Sequence, residues 1–172
     1  NVAGSFHAST ADYLRLSDGT RVYASTNPAS TFTSAPPAAF GFLDSSVAPI
    51  VAQGSFLAVP DSRSLSLIGG HLTLANSQIS APRGQLNMVA VASPGEVAIG
   101  SNTVQMSGFA ALGDIQLNQS LINVDDEASA SVFIRGGRFV MENNSKIHGL
   151  TTQASAARTI DPGVVAADAA LV

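Results

Sequence analysis

The 172-residue chain contains no cysteine and no tryptophan, and only 12% of it is charged. Without cysteine there is no disulfide staple, thiol nucleophile or thiolate metal ligand, although this alone does not fix the compartment. The charged share is about half that of an ordinary globular protein. The polar surface must therefore come from Ser, Thr, Asn and Gln, and serine alone occurs 22 times. Such a weakly hydrated surface suits repetitive packing, or hydrogen-bonded contact with neutral polymers such as glycans. Lysine and arginine total eight, the net charge is −4 and the pI is near 5.1. That excludes the basic footprint of a nucleic-acid binder. No run reaches the roughly 18 apolar residues a membrane span needs. The nearest, Val164 to Val172, is short and broken by Asp168. The chain opens Asn-Val-Ala-Gly-Ser-Phe without an initiator Met or a targeting signal, and reads as a processed or excised segment of something longer.

What is present is repetition. Ser64 to Ile79 and Ser131 to Ile147 share one phrase: an apolar run, two glycines, a second apolar run, then Asn, Ser and Ile. Aligning on apolar-x-apolar-x-x-Ser/Asn-x-apolar gives four copies, Leu72–Ile79, Val97–Val104, Ile115–Ile122 and Phe139–Ile147. Within each copy apolar and polar residues alternate, which is the period of a strand and not of a helix. The breakers between copies are Gly, Asn, Ser and Pro-Gly, which favour turns. No fixed leucine frame of a leucine-rich repeat is present.

These features predict an all-β chain coiled as a parallel β-helix, three short strands per coil. Coils of about 22 residues would give about seven or eight of them. Leu72, Leu74 and Ile79 are expected to stack in turn on Val97, Ile99 and Val104, on Ile115, Leu117 and Ile122, and on Phe139, Met141 and Ile147. The glycine pairs 69/70 and 136/137 are expected at corners needing positive φ. Asn76, Asn102, Asn118 or Asn143 are expected near left-handed turns.

Residues 26–61 differ, carrying five of the eight prolines. Prolines interrupt strand ladders, so this stretch predicts an excursion packed on the flank and anchored by Phe40 and Phe42. Before it, residues 12–25 alternate around Asp18-Gly19, as in a hairpin or tight corner. The Ala-rich tail, 151–172, carries a turn signal at Asp161 to Gly163.

Several phrases, in order, resemble the filamentous haemagglutinin family: residues 4–25, Pro36–Leu43, Leu65–Val97 and Ser131–Ile147. More narrowly, they resemble the large two-partner-secretion exoproteins of cyanobacteria and other Gram-negative bacteria. The resemblance implies a right-handed parallel β-helix, exported through a dedicated outer-membrane transporter. It places residues 1–93 in the latter part of a secretion domain and 94–150 in continuing coils. The family's Asn-Pro-Asn-Gly-Ile signature does not occur in the chain. The expected role is adhesion or an extracellular fibre at the cell surface, without catalysis or cofactor. The implied partner is the transporter, with glycans, neighbouring cell surfaces and end-to-end self-association as further candidates.

Parallel β-helices also carry polysaccharide lyases and hydrolases. The best acidic cluster is Asp125, Asp126 and Glu127, with Arg135 and Arg138 a strand further on. It is a weak candidate for a calcium or catalytic carboxylate site. The other repeats place no acids at equivalent positions, so a solvated corner that deters edge pairing is the plainer reading. His7, His71 and His148 lack the spacing of a metal site, and there is no Gly-x-Ser-x-Gly elbow. Two other readings stay open: a β-helical polysaccharide-active enzyme, and a self-assembling filament subunit.

Overall fold

The computed structural model describes residues 3–26, 28–100, 104–124, 130–149 and 166–167. Its strands follow the sequence in a repeating order. β1 (Phe6–Ser9) leads into β2 (Tyr13–Leu16), β3 (Arg21–Tyr23) and β4 (Pro37–Phe42), then β5 (Ile50–Gln53) and β6 (Phe56–Ala58). β7 (Ser64–Gly69), β8 (Leu72–Ala75) and β9 (Gln78–Ser80) follow without interruption. β10 (Gln85–Ala90) is separated by β11 (Gly95–Ile99) and β12 (Val104–Ser107) from β13 (Ile115–Asn118) and β14 (Leu121–Asn123). β15 (Ser131–Arg135), β16 (Arg138–Glu142) and β17 (Lys146–His148) close the series, and β18 (Ala166–Ala167) pairs antiparallel with β16.

Three parallel ladders result, in the orders β1-β7-β10-β15, β5-β8-β13-β16 and β6-β9-β14-β17. Each holds one strand from each of four successive layers, an arrangement compatible with a parallel β-helix. Leu72, Ile115 and Phe139 pair in register, as do Leu74, Leu117 and Met141, and Ile79, Ile122 and Ile147. All nine are buried and line one apolar core with Leu65, Leu67, Leu86, Met88 and Ile134 of the first ladder. Three of the four repeat copies thus stack as their alternation predicts.

The fourth does not. Val97–Val104 leaves the stack, and β11 and β12 form an antiparallel pair in a separate sheet ordered β12-β11-β4-β2-β3. The period-2 signal is correct, but it cannot say which sheet a strand joins. This insertion and the earlier one, β2 to β4, lengthen two of the layers. The described residues therefore make four layers, not seven or eight.

Residues 26–61 are correspondingly divided. Phe40 and Phe42 lie in β4 of the antiparallel sheet, whereas β5 and β6 return to the ladders. Pro49 stands just before β5 and Pro60 just after β6, outside the paired stretches. Residues 12–25 form the expected hairpin, with Gly19 at φ 88° in its turn.

The antiparallel sheet covers the outer face of the first ladder. Ile68 and Val89 point away from the coil core and pack with Phe42, Val97 and Val104 in a second apolar cluster. Hence β7 and β10 are buried on both faces, and "LSLIG" and "LNMVA" read as nearly continuous runs.

The glycine pairs do stand at corners, but not for positive φ, which none of the four adopts. A Cβ on Gly70 would press on the carbonyl oxygens of Val47 and Ala48. One on Gly137 would lie 2.9 Å from the Leu112 carbonyl oxygen. Layers approach too closely there for any side chain.

Candidate functional site

Two features organise the surface. The first is a corner between the second and third ladders. One residue in each of the first three layers takes left-handed backbone there, Gly54 (φ 57°), Asn76 (49°) and Gln119 (48°), and two do in the fourth, Asn143 (51°) and Asn144 (62°). Asn76 and Asn143 match expectation. Asn118 also lies at its turn, but its neighbour Gln119 takes the left-handed conformation while the Asn118 side-chain oxygen accepts a 3.2 Å bond from the Asn143 side-chain amide. Asn102 lies outside the described residues.

A serine follows each turn. The Ser55 amide donates to Ser77 Oγ at 3.2 Å, the Ser77 amide to Ser120 Oγ at 3.1 Å, and the Ser120 amide to Ser145 Oγ at 3.2 Å. Each hydroxyl donates in turn to a nearby carbonyl, Ser120 to Asn118 at 2.9 Å and Ser145 to Glu142 at 2.7 Å. Buried polar groups are thereby paired down the whole corner. Outside this ladder runs an open groove of about 860 Å³, lined by exposed Phe56, Asn76, Gln78, Gln119, Leu121 and Lys146 among others.

The second feature is a polar clasp across three strands of the antiparallel sheet. Tyr13, Gly41 and Glu96 stand side by side on β2, β4 and β11. The Tyr13 ring lies across Gly41, where a Cβ would collide with it. Its hydroxyl donates to Glu96 Oε1 at 2.6 Å. Arg15 Nε donates to Glu96 Oε2 at 3.0 Å, and the Arg21 guanidinium sits 4.5 Å from the Tyr13 ring centroid. Burial, then the bond to Glu96, pushes the Tyr13 hydroxyl up to about 12. The Tyr13 bond and then the Arg15 guanidinium hold the Glu96 carboxyl below its ordinary value, against an opposing effect of burial. No sequence signal links these residues, because strand pairing between distant segments alone brings them together.

Asp125, Asp126 and Glu127 lie outside the described residues. Of the arginines beyond them, Arg138 donates to Asp114 at 3.0 Å. The histidines are scattered. His7 Nδ1 is 2.9 Å from Ser66 Oγ in the first ladder, His71 Nδ1 accepts from the Asp114 amide at a corner, and His148 ends β17. Among the described residues no three His, Cys, Asp or Glu side chains gather as a metal site, and no helix is long and apolar enough to cross a membrane.

The family model described as the TPS secretion domain matches residues 1–140. The chain belongs to this family. A TPS secretion domain marks the substrate of a two-partner system, exported across the outer membrane through a dedicated transporter. The match spans the first three layers, both parts of the antiparallel sheet and the start of the fourth layer. The chain matches no curated protein and no solved structure.

Proposed function

We propose that the chain is the secretion-competent base of a non-catalytic, surface-associated exoprotein. Its layers form a right-handed parallel β-helix, continued as a rod that serves adhesion or an extracellular fibre. The observation that carries this reading is the stack itself. Three ladders hold strict register, and β15 and β17 pair on one side only among the described residues. The outer edge of β16 is taken by β18, whereas the open edges of β15 and β17 over an apolar core favour further layers. Strand stacking then supplies a thermodynamic pull outside the cell, because each added layer buries apolar side chains worth about 1.5–3 kcal/mol apiece.

The test is to fractionate cells making the protein and to locate, by mass spectrometry, the polypeptide carrying residues 131–138. A large polypeptide in the medium or at the surface, lost when the partner transporter gene is deleted, is expected. A cytoplasmic species unaffected by that deletion sinks the proposal.

A further inference from the structure

The corner groove has a chemistry that neither secretion nor rod formation requires. Its exposed lining is dominated by side-chain amides, Asn76, Gln78, Gln119 and Asn143, with Phe56 67% exposed at the first-layer end and Lys146 as its only charged residue. We infer that this groove binds a neutral β-1,4-linked polysaccharide chain, lying along the stack with about one sugar per layer.

Four observations converge. The amides repeat at the layer spacing, about 4.8 Å, and a hexose in an extended β-1,4-linked chain advances by nearly the same distance. Amides offer both donor and acceptor, as pairs of sugar hydroxyls require, while an exposed aromatic face suits the C–H face of a pyranose. A single charged residue argues against a polyanion. The fourth observation excludes an added peptide strand. The corner backbone is already spent between layers, with the Gly54, Asn76 and Gln119 amides donating to Ala75, Asn118 and Glu142 at 2.9, 3.0 and 3.3 Å. Recognition must therefore pass through side chains. Those at Asn76, Gln119 and Asn143 spring from left-handed backbone held by the serine ladder, so their points of attachment are fixed before a ligand arrives.

This deepens the adhesive reading and rests on it for biological purpose, but binding is measured on the full 172-residue chain alone. Calorimetric titration with cellohexaose, chitohexaose and, as the α-linked control, maltohexaose is the experiment. Saturable binding of at least one β-linked hexamer is expected, about tenfold or more tighter than maltohexaose. The double variant Asn76→Gly/Gln119→Gly keeps the left-handed backbone and deletes two amides. It should weaken binding about tenfold or more with an unchanged circular dichroism spectrum. Phe56→Ser, at an exposed position, should weaken binding similarly and covers the case in which the double variant misfolds. No saturable binding of either β-linked hexamer, equal binding of maltohexaose, or indifference of a folded variant overturns the inference. A chain exported by its transporter yet blind to these sugars overturns the groove alone. One that binds them but is never exported overturns the secretory reading alone.

Discussion

At the scale of single residues, the Tyr13–Glu96 clasp sets the pH behaviour. Glu96 titrates below its ordinary 4.5 in the folded chain, so its stabilisation is present above that pH and fades as pH falls towards the lowered folded value. Tyr13 is raised from 10.0 to about 12, so its contribution is complete below pH 10 and is lost as pH rises through about 12. Thermal unfolding followed against pH should show a plateau between these limits. Glu96→Gln should flatten part of the acid limb, and Tyr13→Phe part of the alkaline limb. Variants that leave both limbs unchanged would remove the clasp from the explanation. Gly41→Ala should cost about 1–3 kcal/mol through the collision with the Tyr13 ring, read from chemical denaturation. None of this was legible beforehand, since Tyr13 and Glu96 are 83 positions apart. Asn76 and Asn143, by contrast, were legible because asparagine between two strands is a local signal for left-handed backbone. Gln119 escaped because glutamine carries no such preference.

Elements were more legible than their partners. Alternation located β8, β13 and β16 and named their inward residues, since a buried face forces every second position to be apolar. It located β11 equally well and misassigned its sheet. The distinguishing trace was the spacing, 25 and then 18 residues, where stacked copies Ile115 and Phe139 stand 24 apart. Two intervals together made one long layer. The same logic ranks substitutions. Leu117→Ala, at a fully buried position with neighbours above and below, should cost about 2–5 kcal/mol. Val51→Ala, on the outward face of β5 and 64% exposed, should stay within about 0.5 kcal/mol. Ser120→Ala removes a buried acceptor and donor from the corner ladder and should cost about 1–3 kcal/mol. Denaturation midpoints decide all three, and a Ser120→Ala loss equal to that of Val51→Ala would deny the ladder a structural part.

For the whole molecule, the two apolar clusters share the first ladder as a common wall, so they should unfold together. A chain ending at Ser93 keeps β1 to β10 but loses Val97 and Val104, which pack beside Val89, and β15, which pairs with β10 at Leu86. It should show no cooperative thermal transition and should bind a hydrophobic dye. A chain ending at Gly149 should melt in one step. A sharp transition in the shorter chain would show that the first two layers are self-sufficient. The class, all-β with stacked parallel strands, followed from the repeats. The covering sheet did not, because its strands come from two insertions that meet only in three dimensions.

That sheet also has a temporal side. β11 is inserted between β12 and β4, so β4 receives its second neighbour from residues 95–98. In any chain delivered amino end first, the β2–β3–β4 unit must wait with one flank unsealed until the whole of β5 to β10 has passed. During that delay the outer edge of β4 stands as an open strand edge, and the arrival of β11 is what seals it.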